Sequence, residues 1–132
     1  MADRDILETF PNPYPQRDYL IEHHATEFTS VCPKTGQPDF ATIRIRYVAG
    51  AACLELKQLK LYLQTFRSEG IFYEAVTNLI LDDLVGVCGP KWMEVVSHWG
   101  LRGGIRSMIA AQHGTRPRGI ESMLSDPIPN TT

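Results

Sequence analysis

The sequence has few cysteines, almost no net charge and no long apolar run, and each shortage argues against a class of protein. Three cysteines among 132 residues are too few, and odd in number, for a disulfide framework, so we expect a reducing compartment. A formal net charge of −2 offers no broad basic surface, so we expect no direct nucleic-acid partner. No segment approaches the roughly 18 consecutive apolar residues of a membrane span. The charged N-terminus leads into no apolar segment, so we also expect no signal peptide.

Residues suited to bind a metal are scarce as well. Cys32, Cys53 and Cys88 lack the paired spacing that is typical of zinc sites. His23 and His24 are adjacent, so on a strand they would point to opposite faces. We therefore expect no metal site, and we interpret Cys53 and Cys88 as core residues.

Proline marks both ends of the chain. Residues 1–20 are rich in proline and aromatic residues, which predicts an extended arm. Residues 113–132 combine proline with few apolar side chains, which predicts an irregular tail. We expect one folded domain between them, over residues 21–112.

Hydrophobic periodicity predicts the elements of this domain. Period-2 alternation marks residues 40–48, where Ile43, Ile45 and Tyr47 would share one face of a strand. Apolar residues at helical spacing predict helices near residues 59–66 and 72–87. The second helix would bury one stripe of apolar side chains: Phe72, Val76, Leu79, Ile80, Leu84 and Val87. Further strands are expected at residues 24–31, 92–99 and 105–111. The order is ββααββ, which favours an α+β protein with an antiparallel four-stranded sheet and both helices on one face.

A small sheet of this kind has two open edges. Unpaired strand edges must be covered or joined to another chain. We therefore expect a homo-oligomer in which sheets of several subunits join into a ring or barrel.

The segment from Cys32 to Asp39 combines a thiol, a carboxylate and three residues that bend or stiffen the chain, namely Pro33, Gly36 and Pro38. A cysteine in a polar, partly exposed loop can ionise and act as a nucleophile. A carboxylate near it could transfer protons. The alternative interpretation is an ordinary turn, because proline, glycine and aspartate are the common residues of turns.

Three further segments offer charged groups. Lys57 and Lys60 lie three positions apart, so on a helix they share a face that could hold a phosphate or simply face solvent. Glu74 begins the second helix, where it could grip the N–H edge of a purine or only offset the helix dipole. Arg102 precedes two glycines, which suits either a hairpin or a close approach to a phosphate.

These motifs, in this order, closely resemble the 7-cyano-7-deazaguanine reductases, the QueF nitrile reductases, in their short form. The resemblance covers residues 20–112 and rests on the Cys32–Asp39 loop, the Glu55–Tyr62 segment, Phe72-Tyr73-Glu74 and Arg102-Gly103-Gly104. It implies a tunnelling fold that assembles around a central barrel, with active sites between subunits. It also implies a cytoplasmic enzyme of queuosine biosynthesis that reduces a nitrile to a primary amine with NADPH.

The resemblance also implies roles for individual residues. It makes Cys32 the nucleophile and Asp39 the proton-transfer group, and it assigns the deazaguanine to Leu54, Glu55, Leu56, Tyr73 and Glu74. It assigns contacts with NADPH to Lys57, Lys60, Arg102 and Gly103, and it makes Tyr62 part of the cofactor site as a support for the helix face. Two positions depart from the family pattern: Tyr73 stands where histidine is frequent, and Gln58 where a smaller residue is usual.

The chemistry that the resemblance implies is covalent. Attack by the thiolate converts the nitrile into a thioimide, which accepts hydride more readily, and two hydride transfers complete the reduction. An enclosed site protects the intermediate imine from water. Two alternatives remain open: a transferase that adds ammonia to a nitrile on modified RNA, and a purine-binding module without catalysis on the same scaffold.

Overall fold

The computed structural model describes residues 2–124, which form a mixed α+β arrangement. Within these residues the strands and α-helices are, in chain order, β1 (Thr9–Pro11), β2 (Ile21–Val31), β3 (Pro38–Val48), β4 (Ala52–Leu54), α1 (Leu56–Gln64), α2 (Tyr73–Cys88), β5 (Trp92–Trp99) and β6 (Met108–Gly114). Short 3-10 helices span Arg4–Ile6 and Ile120–Met123. The expected α+β class is confirmed.

The main sheet has four antiparallel strands in the order β2-β3-β5-β6. Strands β2 and β3 form a long hairpin, and β3 pairs along its length with β5. A register shift between Ala25 and Phe28 interrupts the β2–β3 pairing. Because β2 and β6 pair with one strand each, they form the two edges of this sheet.

Both helices contribute to one core on a single face of the sheet. Side chains of β3 that share this face are buried, among them Ile43, Ile45 and Tyr47, as the alternation in the sequence predicted. Leu59 and Leu63 of α1 and five side chains of α2 and β5 complete the centre of this core: Val76, Ile80, Leu84, Met93 and Val95. Removing these apolar side chains from water is the main stabilising contribution to such a fold.

The opposite face of the sheet carries buried charge. Arg46 lies directly across from Glu94, and its Nε and Nη2 atoms donate to Oε1 of that carboxylate at 2.9 and 2.6 Å. Arg44 Nη2 lies 3.7 Å from the same oxygen. Pairing offsets much of the cost of withdrawing these charges from water.

The structure corrects two details of the predicted elements. Phe72 and Leu79 were assigned to the buried stripe of the second helix, but their exposed fractions are 53% and 37%. Instead Thr77 and Leu81 turn inward, because α2 packs through the side that faces β5 and β6. The last strand begins at Met108 rather than Ile105, since residues 102–105 form a tight hairpin of their own.

The N-terminal arm lies on its own chain. Strand β1 pairs with β4, and the Gln58 side chain of α1 donates to the carbonyl oxygen of Ile6 at 2.9 Å. Toward the other end, β6 extends to Gly114, and Ile120 packs against Val48 and Trp92. The remainder of the expected irregular tail, residues 125–132, lies outside the described residues.

Candidate active site

The loop between β2 and β3 holds Cys32 at the exit of a strand, as its sequence suggested. Two backbone hydrogen bonds close the loop, from Cys32 N to the Gln37 carbonyl and from Gly36 N to the Cys32 carbonyl, both at 2.9 Å. Gly36 has a φ of 72°, a conformation that glycine adopts at little cost. The thiol is therefore held by a defined backbone and is partly exposed.

The surroundings of the sulfur favour the thiolate. Hydrogen bonds from the Thr35 hydroxyl, and then from the backbone amides of Thr35 and Lys34, lower the pKa of the Cys32 thiol below its usual value. Partial burial acts in the opposite direction, and the positive charge of Arg102 adds a smaller lowering. Hydrogen bonds to the charged form make a thiolate more available as a nucleophile.

Asp39 lies at the start of β3 with an exposed fraction of 4% and has two charged or polar partners. Its Oδ1 atom accepts from the guanidinium of Arg102 and, at 3.3 Å, from the Tyr73 hydroxyl. Burial and then the Asp39 carboxylate raise the pKa of Tyr73, so the phenol keeps its proton at neutral pH. The three side chains form a connected polar group beside the thiol loop.

The start of α2 is tied to the end of β2. Val31 exchanges backbone hydrogen bonds with Glu69 and Ile71, at 2.8 and 3.0 Å. This parallel contact brings the first turn of α2, with Tyr73 and Glu74, next to the Cys32 loop. The position of Glu74 relative to the thiol thus depends on tertiary pairing of residues far apart in the chain.

A chain of buried hydrogen bonds holds the same turn from the other side. The Trp99 indole donates to Ser97 Oγ at 2.8 Å, Ser97 and Thr77 share a hydrogen bond of 2.6 Å between hydroxyls, and Thr77 Oγ1 donates to the Tyr73 carbonyl at 2.7 Å. The rings of Tyr73 and Trp99 stack with centroids 3.9 Å apart and planes within 7° of parallel. We call Trp99, Ser97 and Thr77 the buried relay.

These elements enclose a cavity of about 260 Å³. Five residues predicted for the site line it together: Cys32, Asp39, Tyr73, Glu74 and Arg102. Phe72 and Ile105 form an apolar part of its wall, although their exposed fractions are 53% and 67%. The cavity thus combines a thiol, two carboxylates, a guanidinium and an apolar wall.

A second, larger cavity of about 570 Å³ lies between α1 and the edge strand β2. Lys57 and Lys60 line it together with Leu56, all three on the exposed side of α1. The predicted cofactor lysines thus lie on the wall of one cavity, whereas the thiol lines another. In a single chain the two groups of predicted residues do not meet in one cavity.

Glu55 is the N-cap of α1, a role that the sequence analysis did not predict. Its carboxylate caps α1 by accepting from the backbone amides of Lys57 and Gln58 at 3.1 and 2.8 Å. These hydrogen bonds lower the pKa of Glu55, so the cap remains charged at neutral pH. Leu54 is buried and its backbone amide donates to the Tyr47 hydroxyl at 2.9 Å.

Tyr62 and Gly103 lie outside both cavities. Tyr62 is fully buried, and its hydroxyl donates to Asp83 at 2.6 Å, so direct contact with a cofactor is not compatible with its position. It supports α1 from the core. Gly103 lies at the tip of the 102–105 hairpin with a φ of 56°, a conformation that explains a glycine there without any ligand.

Other functional candidates became visible only in the structure. Thr35 contributes to the pKa of the thiol, and the buried relay positions the first turn of α2. Trp99 could have been noticed as an aromatic residue near the end of a strand, but the sequence carries no signal that it stacks on Tyr73. Within residues 2–124 no cluster of histidine, cysteine, aspartate or glutamate could hold a metal ion, and no helix there is long and apolar enough to span a membrane.

The fold is shared with a protein of known structure. The crystal structure of the archaeosine synthase QueF-Like in the apo form matches with a TM-score of 0.69, covering 74% of this chain and 96% of that chain. Sequence identity to it is 20%, so the match shows the fold alone. It indicates a QueF-type α+β scaffold.

Sequence comparisons define the family. A family model described as QueF-like protein matches residues 38–118. A relative from Anaeromyxobacter sp. (strain Fw109-5) is 59% identical over 114 residues, which cover 86% of this chain and 93% of that protein. One from Rhodopirellula baltica is 61% identical over 106 residues, covering 80% and 88%. Both are named NADPH-dependent 7-cyano-7-deazaguanine reductase. The chain belongs to the QueF-like family, whose members named here are oxidoreductases, and the resemblance inferred from the motifs is confirmed.

Proposed function

We propose that this chain is an NADPH-dependent nitrile reductase that converts 7-cyano-7-deazaguanine into 7-aminomethyl-7-deazaguanine for queuosine biosynthesis on tRNA. The observation that carries the proposal is the thiol of Cys32, with its lowered pKa, in one cavity with Asp39 and Glu74. The names of relatives at 54–61% identity support the substrate and the cofactor. We expect the reaction in the cytoplasm, where the thiol stays reduced.

Covalent catalysis follows from the position of the thiol. The Cys32 thiolate attacks the nitrile carbon and forms a thioimide, while the nitrile nitrogen takes up a proton. In this proposal Asp39, whose Oδ1 accepts from Tyr73 and Arg102, takes the proton that the Cys32 thiol gives up and passes it to the nitrile nitrogen. Tyr73 remains protonated, so it serves as a hydrogen-bond donor at a position where histidine is frequent in the family.

The carboxylate of Glu74 suits recognition of the deazaguanine. It lines the thiol cavity from the first turn of α2, and a carboxylate can accept paired hydrogen bonds from the N–H edge of a purine. The exposed ring of Phe72 beside it offers an apolar surface for a flat heterocycle. Leu54, Glu55 and Leu56 would contact the base from a neighbouring subunit.

The residues present also fit a phosphorylated dinucleotide. Lys57 and Lys60 lie on the wall of the larger cavity, and neither forms an ion pair with the residues that the structure describes. We assign the phosphates of NADPH to these lysines. Arg102 and the backbone of Gly103 would contact the cofactor nearer the reacting atoms. When bound, NADPH supplies the hydride, and two molecules in succession complete the reduction of one nitrile with two protons.

Assembly would bring the two groups of residues together. Within residues 2–124, the outer sides of the edge strands β2 and β6 pair with no further strand, apart from the contact of Val31 with residues 69–71. We propose that subunits join through these edges into a barrel, so that the thiol cavity of one subunit meets the lysine wall of its neighbour. The active sites then lie between subunits of a homo-oligomer, and the substrate is the free base rather than nucleic acid.

The test is oxidation of NADPH by the purified protein in the presence of the nitrile, followed by absorbance at the wavelength of the reduced nicotinamide. We expect stoichiometric formation of the amine and a covalent adduct on Cys32 that mass spectrometry detects. Cys32→Ala should abolish both while its circular dichroism stays unchanged, and Cys53→Ala is the matched control.

The assay also separates the alternatives. An adduct on Cys32 without oxidation of NADPH would favour a nitrile-activating amidinotransferase. Binding of the nitrile without any adduct would favour a purine-binding module, and turnover by Cys32→Ala would contradict covalent catalysis.

A further inference from the structure

The larger cavity has a third cation, which the proposed function does not use. Arg67 lines the wall that also carries Lys57, Lys60 and Gln64. Positions 57, 60, 64 and 67 recur at helical spacing, so these side chains form one stripe. The stripe continues past the end of α1 because the following turn keeps the winding of the chain, with hydrogen bonds from Thr65, Phe66 and Arg67 to carbonyls three residues earlier.

The chain balances the positive charge of this stripe only in part, through the electrostatic interaction of Glu55 with Lys57. Among the residues that the structure describes, the side chains of Lys57, Lys60 and Arg67 form no hydrogen bond and no salt bridge. The only carboxylate that lines the cavity within residues 2–124 is Glu27. Three cations beside one anion, in a concave site, suit a ligand with more than one negative charge.

The rest of the lining suits a flat apolar group. Phe28, Leu59 and Leu63 contribute apolar side chains to the same cavity. A volume of about 570 Å³ lies within the range of cavities that bind small molecules. An adenosine with phosphates on its ribose matches both the apolar wall and the cationic stripe.

The cationic stripe runs from the end of α1 that is proposed to contact the substrate toward Arg67. Glu55, proposed to contact the deazaguanine, lies at the start of α1, next to Lys57. Arg67 lies ten residues beyond Lys57, which is about 15 Å at the rise of an α-helix. Because the nicotinamide must approach the deazaguanine, the adenosine end of the dinucleotide would extend along the stripe toward Arg67.

We propose that Arg67 binds the 2′-phosphate of the adenosine ribose and that it thereby makes this chain select NADPH over NADH. The inference rests on the proposed function for the orientation of the dinucleotide. The guanidinium suits a phosphate because its planar N–H groups can donate two parallel hydrogen bonds to it. Lys57 and Lys60, nearer the start of the helix, bind the phosphates shared by both dinucleotides.

The test compares two probes that differ only in the 2′-phosphate: adenosine 2′,5′-bisphosphate and adenosine 5′-monophosphate. Isothermal titration of the full chain, in its native assembly, should show tighter binding of the bisphosphate. A charged hydrogen bond of ordinary strength predicts that Arg67→Gln weakens bisphosphate binding by about 10- to 100-fold. Binding of the monophosphate should stay within about twofold, and Arg67→Lys should restore part of the discrimination.

The matched control is Arg118→Gln, which removes the same charge from an exposed residue outside both cavities. It should leave both affinities unchanged. Equal affinities of the wild-type protein for the two probes, undiminished discrimination in Arg67→Gln, or an equal loss in Arg118→Gln would overturn the proposal. If circular dichroism shows that Arg67→Gln does not fold, Arg67→Lys provides the test. A preference for the bisphosphate as strong as in the wild type would then contradict the bidentate contact of Arg67.

Kinetics provide the second readout. In Arg67→Gln the KM for NADPH should rise by a similar factor, while the KM for NADH and both values of kcat remain close to those of the wild type. Failure of the proposed function would look different: discrimination between the two adenosine probes would persist, but the nitrile would not be reduced.

Discussion

Removal of the central hydroxyl of the buried relay should both destabilise the protein and loosen the candidate active site. In Ser97→Ala the indole N–H of Trp99, a residue with an exposed fraction of 1%, loses its acceptor, and the Thr77 hydroxyl loses its hydrogen-bonded neighbour. A buried donor left without a partner costs about 1–3 kcal/mol. We therefore expect the free energy of unfolding to fall by about 2 kcal/mol.

The second half of the relay can be removed without changing its shape. Thr77→Val keeps the volume of the side chain but removes the hydroxyl that donates to the Tyr73 carbonyl. Because both single variants break the same hydroxyl–hydroxyl contact, the double variant should lose less stability than the sum of the two, by about 0.5–1 kcal/mol or more. Additive losses would show that the two hydroxyls are not coupled.

Urea unfolding followed by tryptophan fluorescence measures these losses, with protein concentration held constant because assembly contributes to the stability. Ser68→Ala, at an exposed position, is the control and should change stability by less than about 0.5 kcal/mol. A loss of that small size in Ser97→Ala would refute the reasoning. At the candidate site we expect a higher KM for the nitrile, because the relay holds the turn that carries Tyr73 and Glu74, with an unchanged alkylation rate of Cys32.

Three further outcomes follow from the same geometry. The rate of Cys32 alkylation by iodoacetamide should reach half its maximum below the pH of about 8.5 expected for a free thiol, because a lowered pKa lets the thiolate form at lower pH. Thr35→Val should move this midpoint to higher pH. Unreactive Cys32→Ser serves as the blank, and a midpoint that Thr35→Val leaves in place would contradict the assigned cause. Glu74→Ala should weaken nitrile binding by about 2 kcal/mol in a titration with inactive enzyme, whereas an unchanged affinity would exclude a charged hydrogen bond. Tyr62→Phe should lower the free energy of unfolding by about 1–3 kcal/mol, since it removes the hydroxyl that donates to the Asp83 carboxylate. A higher KM for NADPH without loss of stability would instead indicate that Tyr62 contacts the cofactor directly.

The local sequence pattern was sufficient to predict features that depend on a single helix or strand. Alternation predicted the apolar face of β3, although the charged face of this strand is buried as well. Gly89, with a φ of 55°, ends α2 as a left-handed cap. The assignment of Phe72 and Leu79 to the buried stripe of that helix was wrong, because a helix with apolar residues around much of its circumference does not reveal which side faces the sheet. Strand β1 escaped notice because its partner β4 is distant in sequence.

The candidate site shows the same limit. The Cys32–Asp39 loop was recognisable because proline and glycine in fixed positions constrain a short hairpin whose ends belong to neighbouring strands. Arg102 was predicted as a cofactor contact, yet in the folded chain its guanidinium pairs with Asp39. Charge alone does not specify a partner that lies on another strand, so this pairing could not be foreseen.

The amino-acid sequence by itself determined the α+β class, the family and the candidates for the reactive groups, because these depend on periodicity and on chemical types at short spacing. Tertiary structure decided which groups meet. It brought Tyr73 and Glu74 to the thiol through the contact of Val31 with Glu69 and Ile71, and it placed Lys57 and Lys60 on a different cavity. The physical reason is that such encounters depend on strand pairing and on how helices pack against the sheet, which join residues that no local pattern connects.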